Sequence, residues 1–267
     1  MYGFIHSLAI IGCCIALTTM LPEIAVAAGP RPIPEISIII DDIGYRMTED
    51  TRAIAIPGSL AYAIMPHSPH AHKMSRLAKL SGKLVLLHLP MEAIMKDKNR
   101  FLGPGALWLD MTREQFMQTL KINLNSLPDA VGVNNHEGSL LTRHTGHMEW
   151  LMDGLKKNRK FFIDSVTSGQ SVASRVAMEK SVPCLRRDVF LDNHQDEAYI
   201  TSQLAELIRV ARNNGKAVGI GHPHPETIRV LTRELQKLDQ YGVMLVSLTD
   251  LLKPGTRTGV LPVRLSN

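Results

Sequence analysis

Cysteine is scarce in this chain: three residues out of 267, at positions 13, 14 and 184. Cys13 and Cys14 lie in a segment that reads as removable, and one remaining thiol makes neither an internal disulfide nor a cysteine zinc site. Cys184 sits in the apolar Val182-Pro183-Cys184-Leu185 and reads as a packing residue. Aromatic residues are only 5%, and the 30 Lys and Arg are spread along the chain without a basic stripe. That argues against a nucleic-acid partner. No apolar run is long enough to span a bilayer comfortably, because the stretch from Leu8 to Leu21 falls short of the ~20 residues a helix needs. Compact catalytic motifs are missing too. There is no G-x-S-x-G elbow, no Walker A sequence, no G-x-G-x-x-G and no H-E-x-x-H, so serine-hydrolase, P-loop and dinucleotide chemistry lack their signatures.

What is present begins with an uncharged N-terminus. Residues 1–22 carry no Lys, Arg, Asp or Glu, and Ala25-Val26-Ala27 follows as a small-residue cleavage site. The order reads as a secretory signal over 1–27, cut after Ala27 or Ala28, which places the mature protein in the periplasm or otherwise outside. An uncleaved N-terminal anchor is the alternative. Loss of Glu23 leaves 30 basic against 24 acidic residues, so the formal charge moves from +5 to +6. Residues 28–35, with three prolines, read as a linker, 36–253 as one folded domain and 254–267 as a tail.

Within 36–253 short apolar runs alternate with helical patterns. Strands are predicted over 36–40, 60–65, 83–89, 130–134, 160–163, 182–185, 217–220 and 243–247. Helices are predicted over 69–80, 112–127, 146–158, 172–180, 197–214 and 225–241. Thr112 and Gln115 have capping-box spacing, and Gly215 falls at a helix C-cap. This rhythm predicts an α/β fold with mostly parallel strands, open or closed into a barrel. Residues 94–110 break the rhythm as a long excursion, and loops of that length are often functional.

Polar residues recur where the strands end. Asp41 and Asp42 follow the first, His67 the second, His88 the third, His136 the fourth, Asp164 the fifth, and His222 a late one. In parallel sheets and barrels that edge is where sites are built. A single Asp there reads as a helix cap, but capping does not select histidine. Carboxylate and neutral imidazole together form a ligand set for zinc and other divalent metals. Alternation along a strand directs Asp41 and Asp42 to opposite sides, so one is expected to bind metal while the other handles water. A histidine from another strand then supplies the general acid. Of His222 and His224, only His222 is assigned to the site, and His224 is expected to be exposed.

Several segments carry a family resemblance. They are Ile39-Ile40-Asp41-Asp42-Ile43-Gly44, Met65-Pro66-His67, Leu87-His88-Leu89-Pro90-Met91-Glu92, Leu102-Gly103-Pro104-Gly105-Ala106-Leu107 and Gly132-Val133-Asn134-Asn135-His136, followed by Phe162-Ile163-Asp164-Ser165, Arg186-Arg187-Asp188-Val189-Phe190-Leu191-Asp192 and Gly219-Ile220-Gly221-His222-Pro223. Together they resemble the divergent polysaccharide deacetylases, relatives of NodB-type carbohydrate esterases. The resemblance implies a distorted (β/α)7 barrel, a divalent metal (usually zinc) on one Asp and two His, and an acetylated envelope polysaccharide or peptidoglycan-type glycan as substrate. Carried over, Asp41 is the catalytic base, Asp42 and His88 are metal ligands and His222 is the general acid. Glu92 stands where NodB-type enzymes have the second histidine of H-x-x-x-H, so His136 is chosen as the remaining ligand. His67, Glu92, Asn135, Asp164, Arg187 and Asp188 are expected to orient the base or contact substrate. The alternative function is a non-catalytic envelope protein that binds glycan or a partner protein through a degenerate barrel.

Overall fold

A computed structural model describes residues 33–253, together with Met1 and Gly3. The expected signal segment apart from Met1 and Gly3, linker residues 28–32 and the C-terminal tail lie outside the described residues. In chain order the elements are β1 (Glu35–Ile43), α1 (Met47–Ile54), β2 (Ala61–Ile64), α2 (Ala71–Leu80), β3 (Leu84–Met91), α3 (Lys96–Asn99), α4 (Arg113–Ser126), β4 (Gly132–Glu137), α5 (Thr145–Lys157), β5 (Phe161–Asp164), α6 (Ala173–Glu179), β6 (Cys184–Arg186), β7 (Val189–Phe190), α7 (Glu197–Asn214), β8 (Lys216–Gly221), α8 (Pro225–Glu234), β9 (Met244–Leu245) and α9 (Leu248–Leu251). The predicted helix over 225–241 is divided: α8 ends at Glu234 and a 3-10 segment, Leu235–Tyr241, completes it. Glu35, assigned to the linker from sequence, is the first residue of β1.

Strand order is β6-β5-β4-β3-β2-β1-β8-β7, and every pairing is parallel. β9 pairs with Glu35 and Ile36, before β2 begins its own pairing with β1 at Ile39. Side-chain alternation separates two apolar layers. Ile39, Ala61, Ala63, Leu86, Ile163, Val218 and Ile220 form the smaller cluster, to which α9 adds Leu248 and Leu251. Ile38, Ile40, Tyr62, Ile64, Val85, Leu87, Val133 and Phe162 belong to the larger cluster that meets the helices. The smaller cluster is the bore, and it holds the two alanines of β2. Burial on both faces accounts for the near-continuous apolar runs of these strands.

The two ends of the strand path are joined by the chain itself. β6 ends at Arg186 and β7 begins at Val189 on the opposite edge, so Arg187 and Asp188 alone bridge them. Three Cα steps of ~3.8 Å limit that gap to about 11 Å. Hydrogen bonds stitch the seam. Arg187 N donates to Asp164 O (2.9 Å) and Asp188 N to Val218 O (2.8 Å), while Val218 N donates to Asp188 Oδ2 (2.7 Å). The sheet is thus a distorted barrel closed by a two-residue stitch.

Cys184 is half-buried against the core, and burial pushes its thiol up to about 12. At pH 8 it should resist maleimide while the protein is folded and react once denatured, as site-resolved mass spectrometry would report. Rapid labelling of native protein at Cys184 would contradict its packing role.

Candidate functional site at the strand ends

The register that fills the bore continues past it. Ile39 leads to Asp41, Leu86 to His88, Gly132 to Asn134 and His136, Ile163 to Ser165, and Ile220 to His222, each step being two residues. Asp42 has the wrong parity, but pairing between β1 and β2 shifts between Ile40 and Ile43 and Asp42 takes φ 58°. This bulge turns its carboxylate toward the same histidine as Asp41. Asp42 Oδ1 lies 3.2 Å and Asp41 Oδ2 3.7 Å from His88 Nε2. The two carboxylates are expected to point apart only if the strand runs regularly through them, and the register shift breaks that condition. A regular strand would separate them, and the bulge does not.

Four of the six non-glycine residues with left-handed backbone among the described residues lie at this rim, while Arg159 and Ser181 precede β5 and β6. Asp42, His67, Glu137 and Val166 all have φ between 50° and 59°, and all four follow or end strands β1, β2, β4 and β5. Val166 is the costliest, since a β-branched residue disfavours that region. Strain gathered at one edge of a fold points to function there.

Three donor atoms converge at the centre. Asp42 Oδ1, His88 Nε2 and His136 Nδ1 form a triangle with sides of 3.2, 3.0 and 3.1 Å. Zinc bonds of about 2.0–2.1 Å would place neighbouring donors about 2.9–3.4 Å apart at octahedral to tetrahedral angles. Asp42 Oδ1 is buried without a hydrogen-bond partner, although both imidazole nitrogens adjoin it. The donor set fits a divalent cation, which Asp42, His88 and His136 could hold together.

Asn134 organises this cradle. Its Nδ2 donates to Asp41 Oδ1 (2.8 Å), which turns its Oδ1 toward His88 Nδ1 (2.9 Å). A neutral His88 then carries its hydrogen on Nδ1 and presents the Nε2 lone pair to the triangle. Burial opposes charge on Asp42, yet His136 and His88 overcome it and hold the carboxyl well below the usual carboxylate range. Burial likewise opposes charge on His88, and Asp41 with Asp42 raises its pKa nonetheless. The pocket attracts one positive charge, a proton or a cation. Asp41, only 3% exposed, is shifted the other way: burial raises it despite His88 and His222.

His222 approaches from β8, with Nε2 3.8 Å from Asp42 Oδ2. Its Nδ1 is 3.0 Å from Asp192 Oδ1, while Asp192 Oδ2 accepts from His222 N (2.6 Å) and Thr227 Oγ1 (2.8 Å). Burial disfavours charge on His222, but the Asp192 bond and then the Asp42 charge bring it up to about 9. His224 is half-buried, contrary to the expectation of exposure, with its ring 5.8 Å from that of His222. Asp192, His222 and His224 also lie close enough to suggest a cation site. The Asp192 oxygens, however, are already committed to three hydrogen bonds, so this group reads as a clamp on His222.

The remaining expected residues sit around this centre rather than in it. Glu92 Oε2 accepts from Leu109 N (2.7 Å), anchoring the excursion over 94–110. Asn135 Oδ1 accepts from Ser165 N (2.9 Å), and its Nδ2 donates to Glu137 O (2.7 Å). Asp164 takes up Val166 N and the hydroxyls of Ser171 and Ser174, which ties down the loop after β5. Arg187 donates from Nε to Ser165 O (2.7 Å) and from Nη2 to Val166 O (2.9 Å). Asp188 closes the seam, and the exposed His67 meets Asn123 through Nε2 at 2.9 Å. Asp192 and Asn134, which the sequence does not single out, hydrogen-bond directly to the candidate residues His222, His88 and Asp41.

The fold is thus a parallel barrel with a carboxylate and two imidazoles converging at its strand C-termini, the architecture of NodB-like proteins. More particularly, the chain belongs to the divergent polysaccharide deacetylase family, whose pattern it matches over residues 38–252. It is 38% identical over 229 residues to the uncharacterized protein YibQ of Escherichia coli, covering 85% of this chain and 70% of that protein. Among solved structures it resembles an uncharacterized protein of Agrobacterium tumefaciens C58, with a TM-score of 0.79, 24% identity, and coverage of 84% and 91% of the two chains. A carbohydrate esterase family 4 pseudoenzyme from Bacillus anthracis shares the fold more distantly, with a TM-score of 0.52 and 10% identity over 83% of this chain and 66% of that one.

Proposed function

We propose that the protein is an exported, metal-dependent hydrolase that removes acetyl groups from an envelope polysaccharide or peptidoglycan-type glycan. The convergence of Asp42 Oδ1, His88 Nε2 and His136 Nδ1 between Asp41 and His222 carries this reading. A divalent cation on those three residues, zinc by the chemistry of the donor set, supplies Lewis acidity toward an acyl carbonyl. Asp41, anchored by Asn134, takes a proton from the attacking water. His222, held by Asp192, returns a proton to the departing amine or hydroxyl. Export rests on the residues before Ala28. Among the described residues no helix is long and apolar enough to cross a membrane.

The test is zinc titration of the purified protein, together with acetate release from N-acetylated glycan oligomers. One zinc should bind, EDTA should reduce acetate release to background, and stoichiometric zinc should restore it. Full activity in EDTA-treated, metal-free protein would falsify the proposal.

The second reading, a non-catalytic glycan- or protein-binding barrel, draws on Glu92 standing where NodB-type enzymes have their second histidine and on the pseudoenzyme with the same fold. Against it, His136 completes the donor triangle while Glu92 holds the loop. Unaltered cellular function in Asp41→Asn and His222→Ala variants would favour this reading.

A further inference from the structure

The excursion after β3 opens with Ile94-Met95-Lys96-Asp97-Lys98-Asn99-Arg100-Phe101. Ile94 is 51% exposed, Met95 62% and Phe101 80%. A lone apolar side chain in water needs no explanation. Three within eight residues, interspersed with three cations against one carboxylate, make the pattern of a segment lying at a lipid–water interface.

The segment is fixed with these side chains outward. Asn99 folds back to its base, where Oδ1 accepts from Ala93 N (2.7 Å) and Nδ2 donates to Ala93 O (3.1 Å). Ile94 N donates to Ser139 Oγ (3.0 Å). Lys98 Nζ reaches Glu137 Oε1 at 2.8 Å, and Glu137 directly follows the candidate ligand His136. Tyr45, 46% exposed, lies against the far end of the loop, where a Cβ on Gly103 would come within 3.0 Å of its hydroxyl.

We propose that residues 94–101 are a docking loop for an anionic lipid bilayer, with Ile94, Met95 and Phe101 entering the interface and Lys96 and Arg100 meeting the headgroups, while Lys98 stays on Glu137. The charge pattern selects this occupant. Cations flanking apolar side chains complement anionic headgroups over acyl chains, whereas a neutral glycan offers those cations no counter-charge. Docking would hold the strand-end site at headgroup height, through the Lys98–Glu137 contact and Tyr45. The inference does not depend on hydrolysis and stands or falls separately from it.

Full-length protein is sedimented with vesicles of phosphatidylglycerol and phosphatidylcholine, and with phosphatidylcholine alone. The N-terminal apolar segment is common to all variants, so differences between them report the loop. Each cation near an anionic surface contributes about a fivefold change in affinity, so K96A/R100A should weaken anionic-vesicle binding roughly 25-fold. The I94S/M95S/F101S variant should lose at least as much, with circular dichroism unchanged in both. A conservative F101W variant gives a local readout beyond the background of Trp108 and Trp150. Its emission should shift to the blue on anionic vesicles and be quenched by brominated acyl chains. Wild-type binding by either loop variant, no quenching in F101W, or a shift produced by soluble glycan or protein but not by vesicles would overturn the proposal.

Discussion

Replacing Asp41 by Asn should lower kcat for acetyl hydrolysis by about 10²–10⁴-fold, the usual contribution of a positioned general base, with zinc stoichiometry unchanged. The substitution isolates one function of the residue. Asp41 Oδ1 accepts from Asn134 Nδ2 at 2.8 Å, and an amide oxygen in the same place still accepts that bond. The donor triangle belongs to Asp42, His88 and His136, so the cation cradle survives. What is lost is the basic oxygen, Oδ2, beside His88 Nε2. Steady-state kinetics with parallel metal analysis decides the matter. A variant that keeps both its zinc and a wild-type kcat would remove Asp41 from the chemistry.

Asn134→Leu should act through the metal instead, weakening zinc affinity about 10–100-fold, as loss of an outer-shell partner typically does. Asn134 is buried, and its one amide serves both His88 and Asp41. Leucine frees the His88 ring to choose either tautomer and strands Asp41 Oδ1 without its donor. A buried acceptor left unpaired costs about 1–3 kcal/mol, so thermal stability should fall too. Asn135→Leu is the informative control. Asn135 ties Ser165 and Glu137, so that change should loosen the rim and leave zinc affinity within a few-fold of wild type. Equal zinc affinity in wild type and Asn134→Leu, measured by competition with a chromophoric chelator, would show that the amide does not position His88.

The strand-end pattern made most of this site legible in the sequence. Alternation fixes which residues share a face, and the apolar runs before Asp41, His88, His136 and His222 are regular enough to extrapolate. His67 and Asp164 obey the same rule at the level of sequence yet are committed elsewhere, to Asn123 and to the loop after β5. Sequence position places a residue at the rim, while its hydrogen bonds decide whether it enters the centre. Asp192 was harder to find because the strand before it, β7, is two residues long, too short to show alternation. Asn134 carries no signal of its own, because an amide inside a strand looks like neither a ligand nor a cap.

Helix α1 is silent in the sequence for a different reason. Arg46 at its N-cap makes no side-chain capping bond. Asp50, from inside the helix, reaches back to accept from Gly44 N and Arg46 N (2.8 and 3.1 Å). The usual Ser, Thr, Asp or Asn start signal is therefore absent from the sequence. The turn after Asp42 is held from downstream. The bulge at Asp42 is equally silent, since nothing in Asp41-Asp42-Ile43 announces a left-handed residue.

The stitch formed by Arg187 and Asp188 bears on how such a scaffold diversifies. A cylinder whose strands all share ladders has its girth set by every rung at once. Here one gap is spanned by a short tether clasped to Asp164 and Val218, so relatives could lengthen that tether and enlarge the mouth while every other rung stays in register. Cavity width, and with it the bulk of any ligand admitted, would then evolve at a single hinge of the hoop.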